Sequence, residues 1–314
     1  MRSKEKSPKK QKKLRVWLAA LILFTLVILG FGVAALISTG QNDTITVASY
    51  TFASPKIKNG FRAVMVSDLH RKVFGEDNQP LVDAVASQEP DIICVNGDML
   101  ERNHTKEEDE AYRSLLERFM EIAPVYFSAG NHDYITYFQR VLYIDLDFYG
   151  RIGRSKTLDL LESTGAVFLE YDHRDIVING DSVRIGGFYP QAYKTDEDFY
   201  ESWNIRRVYL EKYCDTDSFK LLMSHTPDAF IFGDAGNAWD IDLVLSGHTH
   251  NGVIATPFSH RAVFTAEGLF PEHARGQFDL GSVNMIIGGG LAGWNKIPRV
   301  FNPPEIVTVD IVPA

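Results

Sequence analysis

Five short apolar runs in this chain each end on polar residues able to bind metal or move protons, and that repetition limits what the chain can fold into. Ala63-Val64-Met65-Val66 leads to Asp68-Leu69-His70, Ile92-Ile93-Cys94-Val95 to Gly97-Asp98, and Val125-Tyr126-Phe127 to Gly130-Asn131-His132-Asp133. Leu221-Leu222-Met223 leads to Ser224-His225, and Leu243-Val244-Leu245 to Gly247-His248-Thr249-His250. Runs this short and this apolar read as buried strands. Helical patterns separate the first three. One covers Leu81–Ser87 and is stopped by Pro90, and the other opens on the capping box Thr105-x-x-Glu108 and gathers Tyr112, Leu115, Leu116 and Phe119 on one face. Strand, helix and strand in this order predict βαβ units and an α/β fold. The second half is richer in strands, with Asn179-Gly180 set between two apolar runs as a hairpin turn. In open α/β sheets the crevice lies at the carboxyl ends of the strands, so all five motifs can meet there.

The motifs supply seven side chains of the types that hold hard or borderline divalent cations: Asp68, His70, Asp98, Asn131, His225, His248 and His250. His132 is left over for acid–base work. A lone Asp-x-His or Gly-Asp carries little weight, and polar side chains can simply cap strand ends. The order of all five, each at a strand end, carries the reading. Other features have plainer explanations. Gly288-Gly289-Gly290 lacks the Lys-Ser/Thr of a phosphate loop and reads as a turn near the cleft. Tyr134, Tyr137, Phe138, Tyr143, Phe148 and Tyr149 follow the third motif as a lid, a lipid-facing edge or ordinary packing. His104, His173, His260 and His273 have no motif context and read as surface or loop residues. The two cysteines, Cys94 and Cys214, are too few for a disulfide framework, and Cys94 reads as a small core side chain.

The N-terminus has a different character. Residues 1–15 carry eight Lys or Arg and one Glu, and the 22 residues Val16–Ile37 carry no charge. As a helix that run spans ~33 Å, enough to cross the apolar core of a bilayer. A signal peptide has a shorter apolar region and a small-residue cleavage site, and Ser38-Thr39-Gly40-Gln41 offers none. We therefore expect a basic cytoplasmic tail at 1–15, a single-pass anchor at 16–37, a linker and lead-in at 38–60 with an edge strand at Thr44–Val47, and one catalytic domain at 61–314. The basic flank places the N-terminus in the cytoplasm and the domain outside the cell membrane. Beyond the tail, 24 basic and 40 acidic residues leave a net charge of −16. Nothing in that balance supports a nucleic-acid partner, and no obligate protein partner is evident.

The five motifs in this order resemble the calcineurin-like metallophosphoesterases, and most of all their membrane-associated bacterial branch. The similarity runs over about residues 55–311 and includes the tail Gly290-Leu291, Pro298-Arg299 and Pro303-Pro304-Glu305-Ile306. The resemblance implies a four-layer α/β/β/α sandwich of two mixed sheets. It implies one metal held by Asp68, His70 and His250, a second held by Asn131, His225 and His248, and Asp98 bridging them. Two cations about 3.5–4 Å apart acidify a bridging water, and the cations can be Mn, Fe, Zn, Co or Ni. His132 would protonate the leaving oxygen or stabilise its charge. Glu101 and Arg102 stand where several members carry Asp-Arg, the acid orienting the catalytic histidine and the arginine gripping phosphate; a solvated loop ion pair fits them as well.

The implied activity is hydrolysis of a phosphate ester, with diesters favoured over monoesters. A site held near a membrane suggests an envelope lipid, a lipid-linked sugar or a cell-wall phosphate as substrate. The alternatives are an external phosphomonoesterase or protein phosphatase, and a non-catalytic scaffold on the same fold. In one respect the chain departs from the branch, which reads Gly-His-Thr-His-Gly-Gly-Gln. Here Asn251-Gly252-Val253 follows His250, which bears on substrate preference more than on metal binding.

Overall fold

The computed structural model describes residues 8–133, 155–189, 207–233, 235–293 and 297–314. The aromatic stretch Tyr134–Tyr149 lies outside them. The chain opens with helix α1 (Pro8–Thr39). The first sheet is built from β1 (Thr46–Ser54), β2 (Phe61–Val66), β3 (Ile92–Asn96), β4 (Val125–Ser128), β5 (Val167–Phe168) and the C-terminal β14 (Glu305–Pro313). Its order is β1-β14-β2-β3-β4-β5, parallel throughout except where β14 meets β2. The second sheet is built from β6 (Asp172–Ile178), β7 (Asp181–Gly187), β8 (Phe219–Met223), β9 (Ile241–Ser246), β12 (Gly276–Asp279) and β13 (Val283–Ile287). Its order is β12-β13-β9-β8-β7-β6, with antiparallel pairs only at its two edges. The short hairpin of β10 (Phe264–Thr265) and β11 (Gly268–Leu269) stands apart from both sheets.

The two sheets stack because each is apolar on both faces. Along β2, Phe61, Ala63 and Met65 enter an inter-sheet layer with Phe219, Leu221 and Met223 of β8 and Leu243 and Leu245 of β9. Val64 and Val66 face the other way, onto α2 (Gln79–Ala86), α3 (Lys106–Met120) and α4 (Lys156–Glu162). On the far side of the second sheet, Leu222 and Val244 pack with Tyr209, Leu210 and Tyr213 of the helical stretch 207–214. The result is the expected α/β/β/α order. Cys94 lies fully buried in the inter-sheet layer, and both cysteines are free thiols.

The local signals are realised. The Thr105 hydroxyl accepts from the Glu108 amide while the Glu108 carboxylate accepts from the Thr105 amide, and Tyr112, Leu115, Leu116 and Phe119 are buried. Asn179 and Gly180 both take positive φ, the pattern that lets a two-residue turn follow the twist of the β6–β7 hairpin. Helix α1 begins at Pro8, so part of the basic stretch expected as a tail is helical. One expectation changes. The lead-in 38–60 holds a nine-residue edge strand, Thr46–Ser54, in register along the whole of β14, where only Thr44–Val47 was expected. Its side chains alternate between half-buried and exposed, so too few apolar residues mark it out.

Asp181, at the start of β7, fastens this lead-in to the second sheet. Its carboxylate accepts the backbone amides of Lys58, Asn59 and Gly60 at 2.8–2.9 Å, just before β2. Asp181→Ala removes three charge-assisted bonds and should lower unfolding stability by about 2–3 kcal/mol, measured by chemical denaturation of the full chain. The bound metal content should stay unchanged, because the contact lies at the amino-terminal end of β2, away from the motifs.

Candidate metal centre

Each motif begins where its strand's ladder ends, and the loops then bond to one another. The Asp68 amide donates to Gly97 O, the His70 amide to Asp98 O, the Gly247 amide to His225 O and the Ala292 amide to Asp68 O. The Asn96 side chain ties the sheets together below the motifs, donating to Leu245 O at 2.8 Å and accepting from Ser128 Oγ at 3.0 Å. Asp133, fully buried, accepts from the amides of Met99, Leu100 and Gly130 and so clips the second motif to the third. Burial, followed by the charge of Asp98, pushes its carboxyl up to about 7.

This arrangement brings all seven proposed ligands and His132 to one end of the two sheets. The donor atoms of Asp68, His70 and His250 lie within 4.8 Å of one another, as do those of Asp98, His225 and His248, and those of His70, Asp98 and His132. His250 Nε2 is 3.4 Å from Asp68 Oδ1, and His70 Nε2 is 3.2 Å from His250 Nε2. His225 Nε2 is 3.2 Å from Asp98 Oδ2, and His70 Nε2 is 3.7 Å from the same oxygen. Asp98 therefore stands between the two clusters.

The imidazoles are set in one orientation by what their other nitrogens touch. His225 Nδ1 donates to Asn96 O at 2.7 Å and His250 Nδ1 to Ala292 O at 3.0 Å. The Glu101 carboxylate takes two rings at once, His70 Nδ1 on Oε1 at 2.9 Å and His132 Nδ1 on Oε2 at 2.6 Å. A carbonyl or carboxylate on Nδ1 fixes the tautomer and leaves the Nε2 lone pair for a metal. Two buried atoms, Asn131 Oδ1 and His225 Nε2, have no hydrogen-bond partner among the described residues. An orphaned amide oxygen, and an imidazole nitrogen turned onto buried carboxylates, are what a cation site requires, and these residues fit two divalent ions.

The electrostatics agree. Burial works against charge on His225, yet the carboxylates of Asp98 and Asp68 push it up to about 10. Those carboxylates are in turn held below the usual range by the surrounding imidazoles, against the opposing effect of burial. His250, where burial prevails, falls to about 4. Without metal the pocket thus draws a proton onto His225, which a cation at Nε2 would displace.

The site opens into a cleft of about 450 Å³. His70, Asp98, Asn131, His132, His248 and His250 form its floor, and its walls include Phe232, Val253 and Phe264. Arg102 is exposed and is not among the cleft-lining residues. Asn251 turns away, its side chain donating to His260 O and Asn302 Oδ1, so of the two departing residues it is Val253 that reaches the cleft. Three features escaped sequence reasoning. His273, read as a surface residue, lines the cleft and is held by Glu267 at 2.9 Å. Glu101 orients His70 as well as His132. Arg299, 1% exposed, donates to Ala292 O, Asn302 O and Gly289 O beneath His250, and burial lowers its guanidinium to about 10. Its only sequence signal was Pro298-Arg299 in the tail.

Comparison with known proteins assigns the family. The calcineurin-like phosphoesterase profile matches residues 61–252, more than half of the chain, and the chain belongs to that family. Its members are dimetal-dependent phosphoester hydrolases. An uncharacterized metallophosphoesterase of Campylobacter jejuni is 27% identical over 85% of this chain, which spans 63% of that relative's length. One from Aquifex aeolicus is 26% identical over 85% of this chain and 92% of its own. The UDP-2,3-diacylglucosamine pyrophosphatase LpxG of Chlamydia muridarum is 26% identical over 79% of this chain and 82% of its own.

The glycines of the motifs are part of the centre. A Cβ on Gly130 would fall 2.1 Å from Asp98 Oδ1, and one on Gly97, already at φ 78°, would fall 2.6 Å from His225 Nδ1. Gly130→Ala should therefore displace Asp98 and weaken metal retention by roughly 5- to 150-fold, the equivalent of ~1–3 kcal/mol of strain. Equilibrium dialysis followed by elemental analysis reads this directly, and wild-type retention would count against the proposed place of Asp98.

Proposed function

We propose that this chain is a membrane-anchored hydrolase of phosphate esters, diesters in preference to monoesters, that works with two divalent cations outside the cell membrane. The observation that carries the reading is the set of histidine Nε2 and Asn131 Oδ1 lone pairs around the buried Asp68 and Asp98, with His132 beside them in an open cleft. Asp68, His70 and His250 would hold one cation; Asn131, His225 and His248 the other; and Asp98 both. Bound there, the cations would supply Lewis-acid polarisation of the phosphoryl oxygens and an acidified water.

The chain's own residues do the rest. The protein presents neutral imidazoles and an amide, which keep the site from becoming too anionic to admit a phosphate. Glu101 holds His132 through Nδ1, which leaves Nε2 as the nitrogen that meets a leaving oxygen; in the imidazolium form, its charge balanced by the Glu101 carboxylate, the ring would pass that oxygen the Nε2 proton and return to the neutral tautomer. The same carboxylate holds His70, so ligand and proton donor keep a fixed spacing, with ring centroids 4.8 Å apart. The relative from Chlamydia muridarum, named for a lipid-linked diphosphate, supports an envelope lipid or lipid-linked sugar as the substrate class.

The anchor reading is supported by α1, whose Arg15–Thr39 segment is long and apolar enough to span a bilayer and is not buried by the body. Protease added to intact cells should digest the body while α1 and the tail survive. Complete protection of the body in intact cells, with digestion after lysis, would reverse the orientation.

His132 offers the sharpest test of the chemistry. His132→Ala should keep both metals while kcat falls by roughly 10²–10⁴. The loss should shrink for substrates with good leaving groups, which need little protonation. Loss of metal in this variant, or an equal loss of rate for good and poor leaving groups, would remove His132 from the proton-donor role.

A further inference from the structure

We propose that the segment 254–270 is a second membrane contact, which seats the body on the leaflet that α1 enters and opens the metal cleft toward lipid; this rests on the anchor reading above. Its apolar side chains are unusually bare. Phe258 is 96% exposed and Leu269 74%, and Ile254, Phe264 and Phe270 are exposed as well. A cluster of this kind on a soluble face marks a partner or a membrane.

The position of the segment singles out the bilayer. Phe31 lies inside the uncharged run of α1, eight residues or ~12 Å before its end at Thr39. Its ring meets that of Phe301 edge-on at 5.6 Å. The turn 298–301 therefore reaches alongside the part of α1 that the bilayer would surround. Further contacts fix the same junction: the Phe301 amide donates to Ser38 Oγ, and Asn42 exchanges hydrogen bonds with the Arg299 backbone. The segment 254–270 is bonded to that turn in its own right. Ala255 N donates to Val300 O, and His260 Nδ1 donates to Phe301 O at 2.8 Å.

Charge points the same way. In a body of net −16, residues 254–270 carry Arg261 and a single acid, Glu267, which is turned onto His273, so an anionic lipid surface would repel them far less than the rest of the body. The segment also forms part of the cleft, since Phe264 and Thr265 of β10 line it, and Leu269, paired with Phe264 across the hairpin, is exposed beside it. One short hairpin thus joins the outer apolar surface to the wall of the metal site. A lipid whose phosphate enters the cleft would leave its acyl chains against that surface.

The test uses the full chain in nanodiscs of anionic phospholipid, with Cys214→Ser to remove the accessible native thiol. A polarity-sensitive dye is placed by Phe258→Cys, by Val177→Cys on the exposed edge strand β6, or by Leu29→Cys inside α1. Quenching by spin-labelled lipid is compared with quenching by aqueous iodide. We expect lipid quenching at positions 29 and 258 and iodide quenching at 177. Lipid quenching at 29 with iodide quenching at 258 would overturn this contact and leave the anchor standing. Iodide quenching at 29 would overturn the anchor and this proposal with it. Phe258→Asp should raise KM for a phosphoester lipid in the same nanodiscs by roughly tenfold, with a water-soluble aryl phosphodiester unaffected. Equal losses on both substrates would show that position 258 acts through the fold, and would also overturn the proposal.

Discussion

Two carboxylates lie in the interior at the carboxyl edges of the sheets, Asp68 fully buried and Asp98 2% exposed, and the rest of the site is arranged around their charge. An isolated carboxylate is costly to bury. Here the compensation is imidazole and backbone N–H, with room left for cations: His132 N donates to Asp98 Oδ1 at 2.7 Å and His248 N to Asp68 at 3.1 Å. Asn96 holds the two sheets in step so that residues from both can face the same carboxylates. The residues around the centre also accept backbone strain. Asp68, His70, Asp98, His248 and His250 all take positive φ, a region disfavoured for residues with a Cβ. The hydrogen bonds between the loops hold these conformations in place.

Much of this was legible in the sequence, because strand periodicity and motif chemistry are local. An apolar run followed by Asp68, Asp98 or His225 needs no knowledge of the fold to be read, and neither do the capping box at Thr105 or the turn at Asn179-Gly180. What stayed hidden depends on long-range geometry. Glu101 holds two histidines because separate loops meet above it, and its spacing from Asp98 does not encode His70. His273 and Arg299 lie far along the chain and enter the site only through the turns that carry them. Asn251 stands next to a ligand, but its backbone, at φ 47°, sends the side chain away from the cleft. Strand β1 alternates between half-buried and exposed residues at the edge of a sheet, so its sequence reads as a polar lead-in until β14 is placed beside it.

The same frame links the metal centre to the end of α1. Arg299 donates to the carbonyl of Ala292, which also receives His250 Nδ1, and the backbone of Arg299 is paired with Asn42 just past α1. A buried guanidinium with several carbonyl partners is a stiff junction. His250, a proposed ligand, and the exit of the apolar helix therefore share one small piece of structure.

That junction has a kinetic consequence. Only residues 40–45 separate α1 from β1, a stretch that could reach no more than ~20 Å even if fully extended, and Asn42 shortens it by its bonds to Arg299. With α1 in a bilayer, the cleft would be confined to a thin layer and would meet a membrane-held molecule by diffusion in two dimensions. For a molecule held in the same layer, encounter depends on surface density, and even weak intrinsic affinity suffices for turnover. A water-soluble ester gains nothing from this confinement. Selectivity between the two can then arise from where the cleft is held as well as from what lines it.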